Sequence, residues 1–461
     1  MALTVNNTNT LSLLNILNRT TVNQNDVLEK MATGSRINHG ADDPAGLLAV
    51  KSLDSELTGV NAAISSNQRT DAILGVADGA LGQLAKLTDE IQRLASESAN
   101  TAGLTASEIA ANQSQIDDAL TSIDRIVSNT QFNGSKLLDG SLAIVNVVAT
   151  AGKITDVKSF SRQAGSTDAT LSVKMTAAAS TAVVSAVMVT SASVATSFSV
   201  QGKLGTAVIT LNAGDKVSAA IYKINQAKGQ TGVSAAGTPT NLRMYSVDKG
   251  TAAFVRSKLL EGVGINEKSD TGADAKVTVN GQQTAVDGTS VQYSGAGVAV
   301  SFEIGTLGAG STVALTIKGD TGATFQLGSN STTQATIGIE GAFTNQLGNK
   351  TLGYLSSLRS GATNALVNDP SQAASIAREA SKQVAQLQGR IGGFQKFQVR
   401  TALDSLNTTK EGLTKARGVI NDVDYASESA ELNRQNVLMS SAMQLLGLAN
   451  QQSAQVLSLL R

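Results

Sequence analysis

The chain of 461 residues contains no cysteine, no tryptophan and a single histidine, and its 36 basic and 36 acidic side chains leave no formal net charge. Without cysteine there is no disulfide and no thiolate nucleophile, and a lone His39 in a polar turn leaves zinc-peptidase and serine-triad chemistry without its ligands and base. Since no basic field or basic stretch is present to hold phosphates, we expect no nucleic-acid partner. We also expect no metal and no cofactor.

The first predicted element is a helix in the segment 1–42. It starts MALTVNNTNTLSLLNILNRT, which has no basic region ahead of an unbroken apolar run, so we expect no cleaved signal peptide. One face of this helix carries large apolar residues with few charges, and a single helix cannot cover such a face. We therefore expect a self-assembly surface that includes Leu11, Leu14, Leu17, Leu28 and Met31.

The segment 43–141 is predicted to hold two helices and the start of a hairpin region. Apolar residues of the first helix recur at alternating steps of four and three, which is the pattern of a coiled-coil seam. The seam includes Ile73, Ala77, Leu84, Leu87, Ile91 and Leu94. Thr105 and Glu108 have the spacing of a capping box for the second helix, and Asn133-Gly134 indicates a tight turn after it.

The segment 142–364 changes to short alternating runs of Val, Thr and Ile separated by Gly, Asn and Asp, which is typical of β-hairpins. We expect this β-rich region to form two subdomains, one of them around 198–260. There, AGDKVSAAIYKINQAKGQTG has one apolar helical face and a glycine, Gly229, at the expected end of the helix. A strand pair, this helix and the following TGVSAAG predict a strand-helix-strand module.

The segment 365–418 returns to helical periodicity. Asp369-Pro370 offers an N-cap followed by proline at the first helical position. The seam behind this cap includes Ala380, Val384, Leu387 and Ile391. Two seams of one kind bury each other if the chain doubles back, so the predicted fold class is α+β, with a long antiparallel helical coiled-coil rod formed by both chain ends and a β-rich inserted outer region.

The last segment, 419–461, ends in QNVLMSSAMQLLGLANQQSAQVLSLLR, which carries no charge between Gln435 and Leu460. Its many amide side chains would lose their hydration in hydrocarbon, so we expect no membrane insertion. The apolar arc is broad, and small residues within it permit close helix approach. The self-assembly residues expected here are Leu438, Met439, Ala442, Leu445, Leu446, Ala449, Val456, Leu457 and Leu460.

Five stretches lie in order along the two chain ends. They are SRINHGADDPAGLLAV (35–50), LASESANTAG (94–103), IDRIVSNTQFNGSKLL (123–138), ARGVINDVDYASESAELNR (416–434) and the final ANQQSAQVLSLLR. Together they resemble bacterial flagellin, the subunit of the flagellar filament, over about half of the chain.

This resemblance implies an extracellular homopolymer that serves motility. In it, 1–42 and 419–461 would be inner-core helices, 43–141 and 365–418 would form a coiled-coil shell, and 142–364 would project outward. The resemblance also implies export through the flagellar apparatus without a cleaved signal peptide. An export chaperone for the C-terminal helix and a filament cap protein are the further partners that it implies.

One stretch departs from the family pattern. In many flagellins that Toll-like receptor 5 recognises, a helix reads Gln-Arg-Val-Arg-Glu-Leu, whereas the aligned stretch here is DEIQRL. Asp89 and Glu90 replace an amide and a cation, Arg93 replaces an acid, and Leu94 is retained. Because a charge inversion leaves a partner unpaired at a desolvated contact, we expect weak receptor recognition.

Two other functions remain open from the sequence. A hook-filament junction protein has similar ends, and long filaments formed by the purified protein would favour the filament subunit over it. A secreted fibre or adhesin would account for the β-rich region but not for the paired terminal helices. An enzymatic insertion is not expected, since 142–361 contains no histidine to hold a catalytic metal.

Overall fold

The computed structural model describes residues 8–99, 103–163, 167–187, 192, 194–239, 241–263, 265, 267–350 and 352–459. The chain divides into two compact units, one made of Met1–Ser65 with Asp404–Arg461 and the other of Ser66–Leu403. The α-helices of the described residues are α1 (Thr8–Thr33), α2 (Pro44–Ser98), α3 (Ala106–Asn129), α4 (Val217–Gln226), α5 (Lys228–Thr231), α6 (Pro370–Phe394), α7 (Thr401–Asn421) and α8 (Tyr425–Leu459). A short 3-10 helix spans Leu355–Leu358, and a π-helix, Gln395–Arg400, joins α6 to α7.

The first unit is helical and contains α1, the beginning of α2, most of α7, and α8. Asp43 accepts a hydrogen bond from the Gly46 amide at 2.8 Å and stands directly before Pro44, so a carboxylate and a proline together start α2. Farther along α2, Val60 belongs to a small buried apolar cluster with Leu406 of α7.

The second unit begins with a helical core made by the rest of α2, α3 and α6. Two predicted helix caps are confirmed there. Thr105 and Glu108 form a reciprocal capping box ahead of α3. Asp369 accepts a hydrogen bond from the Gln372 amide, with Pro370 at the first position of α6.

The helices α2 and α6 run antiparallel. Asp89 on α2 accepts a hydrogen bond from Ser381 on α6 at 2.7 Å, whereas the earlier Asp71 accepts one from the later Gln395 at 2.8 Å. Residue numbers that increase along α2 therefore meet residue numbers that decrease along α6. This arrangement lets the two apolar seams cover each other.

Antiparallel pairing relates all the named strands of the described residues. The strands are β1 (Gln131–Phe132), β2 (Ser135–Lys136), β3 (Asn146–Val148), β4 (Ile154–Gln163), β5 (Ala169–Ala177), β6 (Val183–Val187), β7 (Thr196–Gly202), β8 (Gly205–Leu211), β9 (Val233–Thr238), β10 (Asn241–Ser246), β11 (Phe254–Glu261), β12 (Lys268–Thr271), β13 (Lys276–Val279), β14 (Gln282–Gln283), β15 (Ala285–Asp287), β16 (Ser290–Gly295), β17 (Val298–Ile304), β18 (Thr312–Ile317), β19 (Ala323–Gln326), β20 (Gln334–Ile337), β21 (Gly348–Asn349) and β22 (Gly353–Tyr354). Helical ends around a β-rich middle confirm the α+β class.

The turn expected at Asn133-Gly134 is confirmed as the loop of the β1–β2 hairpin. Both residues have a left-handed φ, 50° for Asn133 and 82° for Gly134. Two successive left-handed residues match the right-handed twist of the flanking strands, which is why asparagine followed by glycine is favoured here.

Two sheets form a β-sandwich in the second unit. One has the strand order β14-β13-β5-β18-β3, and the other has the order β15-β16-β17-β4-β20-β19. Alternate side chains of both sheets point into one shared apolar core, in which Phe302, Leu171 and Leu315 are almost fully buried. We call these two sheets the β-sandwich below.

A second β-rich piece, the inserted subdomain (183–271), is placed between β5 and β13 of the β-sandwich. Its sheets have the orders β6-β10-β9 and β12-β11-β7-β8, and with α4 they enclose a separate core around Phe198, Ile224 and Leu242. The chain enters after Ser180 and leaves before Ala273, and reciprocal backbone hydrogen bonds of 2.9 and 3.3 Å join these two residues.

The prediction that Gly229 ends the helix of the inserted subdomain is wrong. The helix α4 already ends at Gln226, and the single turn α5 ends at Gly232, whose φ of 71° is left-handed. Gly229 lies inside α5, where an added Cβ would stand 2.7 Å from the Cβ of Ser371 on α6. A close helix contact, rather than a cap, therefore requires glycine at position 229.

Candidate assembly surface

The helices α1 and α8 pack against each other in the first unit. The hydroxyl of Tyr425 donates a hydrogen bond to the carbonyl of Met31 at 3.2 Å, and the amide of Gln24 donates one to Asn436 at 2.8 Å. The two helices are antiparallel, because contact positions fall along α1 as they rise along α8. Each helix is therefore a packing partner of the other.

Part of the predicted self-assembly set is covered by packing within the chain. Ala442 is buried and five other members are half-buried, namely Leu17, Met31, Met439, Leu446 and Ala449. These side chains lose solvent contact without a second copy of the chain. Their apolar character is thus accounted for by the fold of one subunit.

The other described members of the predicted set are exposed. The exposed fractions are 61% for Leu11, 40% for Leu14, 45% for Leu28, 43% for Leu438 and 52% for Leu445. The predicted set left out five further apolar side chains that are exposed on the same helices: Ile16, Val22, Val437, Met443 and Leu448. The broad apolar arc of each helix was the signal that could have found them. We call these ten residues the outward α1–α8 residues.

Three predicted self-assembly residues lie outside the described part of the chain. The backbone of α8 is described as far as Leu459, but the side chains of Val456 and Leu457 are not, and Leu460 lies beyond. Their role stays a prediction.

The residues predicted for the coiled-coil seam lie together in the helical core of the second unit. Eight of them are buried and Ile73 and Leu87 are half-buried, and all ten belong to one apolar cluster; the buried ones are Ala77, Leu84, Ile91, Leu94, Ala380, Val384, Leu387 and Ile391. Alanines within this seam permit close approach of α2 to α6.

Three parts of the chain match known sequence families. Residues 5–143 match the bacterial flagellin N-terminal helical region, and residues 374–460 match the bacterial flagellin C-terminal helical region. Residues 197–239 match the flagellin hook IN motif, which here runs from β7 to β9 of the inserted subdomain.

Relatives extend the similarity to the whole chain. The chain is 31% identical over 506 residues to the B-type flagellin of Pseudomonas aeruginosa, and the alignment covers 100% of both chains. The chain belongs to the bacterial flagellin family. It is also similar to flagellins of Clostridium tyrobutyricum, with 26% identity covering 95% of this chain and 97% of the relative, and of Salmonella rubislaw, with 28% identity covering 99% of each.

As a flagellin, the chain is a subunit of the extracellular flagellar filament and polymerises with other copies. The family and the function expected from the five terminal stretches are confirmed. Flagellin is a structural protein of the filament, so the chemistry of interest is that of contacts between helices.

The stretch of this flagellin expected to meet the receptor is engaged by its own chain. Asp89 accepts the hydrogen bond from Ser381, and the Arg93 guanidinium lies 2.6 Å from Glu90 and 2.8 Å from Glu97. The hydrogen bond from Arg93 holds the pKa of Glu90 below its ordinary value, and the same bond raises the pKa of Arg93. The carboxylates of Glu90 and Glu97 thus flank one guanidinium on this face.

Leu94 was expected both in the seam and in the receptor-recognition region. Its side chain is only 2% exposed and packs in the helical core. The structure therefore places Leu94 with the seam, away from the surface that carries Asp89 and Glu90.

No candidate metal site is present among the described residues, where no group of three or more His, Cys, Asp or Glu side chains could hold a metal ion. The single histidine, His39, is exposed, and its Nε2 lies 2.9 Å from a carboxylate oxygen of Glu29. None of the described helices combines the length and apolar character that crossing a membrane requires.

Proposed function

We propose that this flagellin polymerises through the outward α1–α8 residues, which become buried only when copies meet. The observation that supports the proposal is the exposure of ten aliphatic side chains on two helices that already pack against each other. Burying one such side chain fully contributes about 1.5–3 kcal/mol. Because association of copies removes this surface from water, the filament is the form in which these helices acquire a complete core. The role is structural rather than catalytic.

Replacing both Leu438 and Leu445 with glutamine tests the proposal. Glutamine keeps the helical propensity and removes the apolar side chains, so the monomer should keep its helicity and melting temperature. The critical concentration for polymerisation should rise at least about tenfold, since a loss of 1.4 kcal/mol corresponds to that factor. Sedimentation of purified protein at a series of concentrations gives this value.

The control is Lys410→Gln, at an exposed position of α7 in the same unit. It should polymerise at the wild-type critical concentration. The proposal fails if the double variant also polymerises at the wild-type critical concentration. Long filaments of purified wild-type protein would in addition favour the filament subunit over the hook-filament junction protein.

We also propose that Toll-like receptor 5 responds weakly to the monomer. The support is the acidic face formed by Asp89, Glu90 and Glu97, on which Arg93 is already paired. A receptor reporter assay should show low potency for the wild-type monomer and a gain for Asp89→Gln combined with Glu90→Arg. Wild-type potency equal to that of a receptor-competent flagellin would refute the proposal.

An export chaperone for α8 and a cap protein at the filament tip complete the proposed partners. The exposed leucines of α8 need cover before assembly, which supports the chaperone. Calorimetric titration of purified monomer with each partner tests the two interactions, and absence of heat at micromolar concentrations would count against them.

A further inference from the structure

The π-helix Gln395–Arg400, called the π-turn below, interrupts the long helix between α6 and α7. A π-helical segment winds more widely than an α-helix and accommodates an extra residue without breaking the helix. Such segments occur often at functional sites.

The seam of α6 explains why an extra residue must be accommodated. Its buried residues follow alternating steps of four and three up to Ile391 and Phe394. The next fully buried side chain is Val399, five positions later, and Leu403 packs against the same core after a further step of four. A continuous α-helix would turn Val399 away from the core. The π-turn keeps it inside.

Contacts with α2 hold both ends of the π-turn. The amide of Gln395 donates hydrogen bonds to the backbone carbonyl of Asp71 at 3.4 Å and to its carboxylate at 2.8 Å. The guanidinium of Arg400 lies 3.6 Å from the same carboxylate. Asp71 therefore bridges the first and last residues of the π-turn and fixes its conformation.

The π-turn carries Phe397 on its outer side. Of the nine Phe residues, all of which the structure describes, eight are buried or half-buried, whereas Phe397 is 66% exposed. The ammonium of Lys396 lies 5.3 Å from the centroid of the ring. Aromatic residues are few in this chain, and the conformation of the π-turn is held by Asp71. An exposed phenylalanine in such a setting is typical of a residue that contacts another protein surface.

We propose that the π-turn presents Phe397 as a contact between neighbouring subunits of the filament. The occupant of this surface is a second copy of the chain, because the chain is a filament subunit that polymerises with other copies. The inference rests on that function and adds a contact in the second unit to the outward α1–α8 residues. The extra residue sets the direction in which the ring points.

Two variants distinguish the contribution of the Phe397 ring from that of the π-turn. Phe397→Ala removes the ring and keeps the π-turn. Deletion of Gln398 places Val399 four positions after Phe394, which a continuous α-helix satisfies, and it redirects Phe397. Gln386→Ala, at an exposed position of α6, is the matched control.

We expect the Phe397→Ala monomer to keep the wild-type helicity and melting temperature by circular dichroism. Its critical concentration for polymerisation should rise about tenfold, and the Gln398 deletion should raise it by at least as much. Gln386→Ala should leave it unchanged. Wild-type filaments formed in parallel establish the filament function separately. If both variants polymerise at the wild-type critical concentration, with wild-type helical symmetry in electron cryomicroscopy, the contact is overturned while the function stands.

Discussion

Glu340 brings a carboxylate into the space between β4 and α6, where two cations face it. Its carboxylate oxygens lie 3.7 Å from the Lys158 ammonium and 4.0 Å from the Arg390 guanidinium, which in turn stacks 3.1 Å from the centroid of the Phe160 ring. Burial raises the pKa of Glu340, with a further contribution from Asp156, and the two cations oppose this rise. Burial also lowers the pKa of Arg390 to about 10. Desolvation therefore outweighs ion pairing at this site.

The raised pKa of Glu340 predicts how the stability of the monomer depends on pH. The folded chain binds the Glu340 proton more tightly than the unfolded chain, so this group makes the free energy of unfolding rise as the pH falls from neutrality through the raised pKa. Glu340→Gln mimics the protonated form. The variant should melt about 1–3 °C above wild type at pH 7, and the difference should shrink toward pH 5.

Differential scanning calorimetry of the monomer at the two pH values measures this effect. Glu411→Gln, at an exposed position of α7, is the control. Its melting temperature should differ from that of wild type by the same small amount at both pH values. A Glu340→Gln monomer that melts below wild type at pH 7, or by the same margin at pH 5, contradicts the prediction. The pKa of Glu303 is also raised by burial. The melting temperature of the Glu340→Gln variant should therefore still rise somewhat as the pH falls.

At the scale of helices, the sequence predicts element types well where one period persists. The steps of four and three named the buried residues of both seams, because every turn of a long helix meets the same neighbour. The step of five from Phe394 to Val399 could not be predicted. Phe397 lies between them and is equally apolar, and only the packing of α6 on α2 decides which side chain is inside.

For the assembly residues, too, the sequence predicts which positions are apolar but not which of them are exposed. The apolar positions of α1 and α8 were identified, yet the sequence gives the width of an apolar arc and not the rotation of one helix against the other. Leu438 is exposed while Ala442, one turn later, is buried. Deciding which part of the arc faces out required the observed packing.

Strands in the middle of the chain were predicted from alternation, but their partners were not. β7 pairs with β11 although β8, α4, α5, β9 and β10 lie between them in the sequence, and Phe198 stands opposite Leu259. Alternation shows which side chains share a face, whereas pairing over such separations depends on the burial of whole sheets. The strand-helix-strand pattern therefore describes only one part of the inserted subdomain.

For the whole molecule, the nested order of the chain predicts which pieces can be removed. Ser180 and Ala273 are already paired as neighbours in an antiparallel bridge, so the chain can be closed across them. We expect a variant in which an Asn-Gly turn replaces residues 181–272 to fold, because the β-sandwich and the inserted subdomain have separate apolar cores. It should still form filaments, since the outward α1–α8 residues and the π-turn are untouched.

Removal of the hook IN motif alone, residues 197–239, is the contrasting variant, and it deletes less of the chain. It takes away β7 except its first residue, together with β8, α4, α5 and β9. The strands β10 and β11 then lack their neighbours on one side, and Leu242, Met244 and Val255 become exposed. Exposed apolar strand edges pair with other chains, so this variant should aggregate or be degraded. Size-exclusion chromatography and thermal melting of the two deletion variants compare them directly. An unfolded 181–272 replacement would show that the two cores do not fold as separate units. A soluble, cooperatively melting 197–239 deletion would contradict the predicted exposure of apolar strand edges.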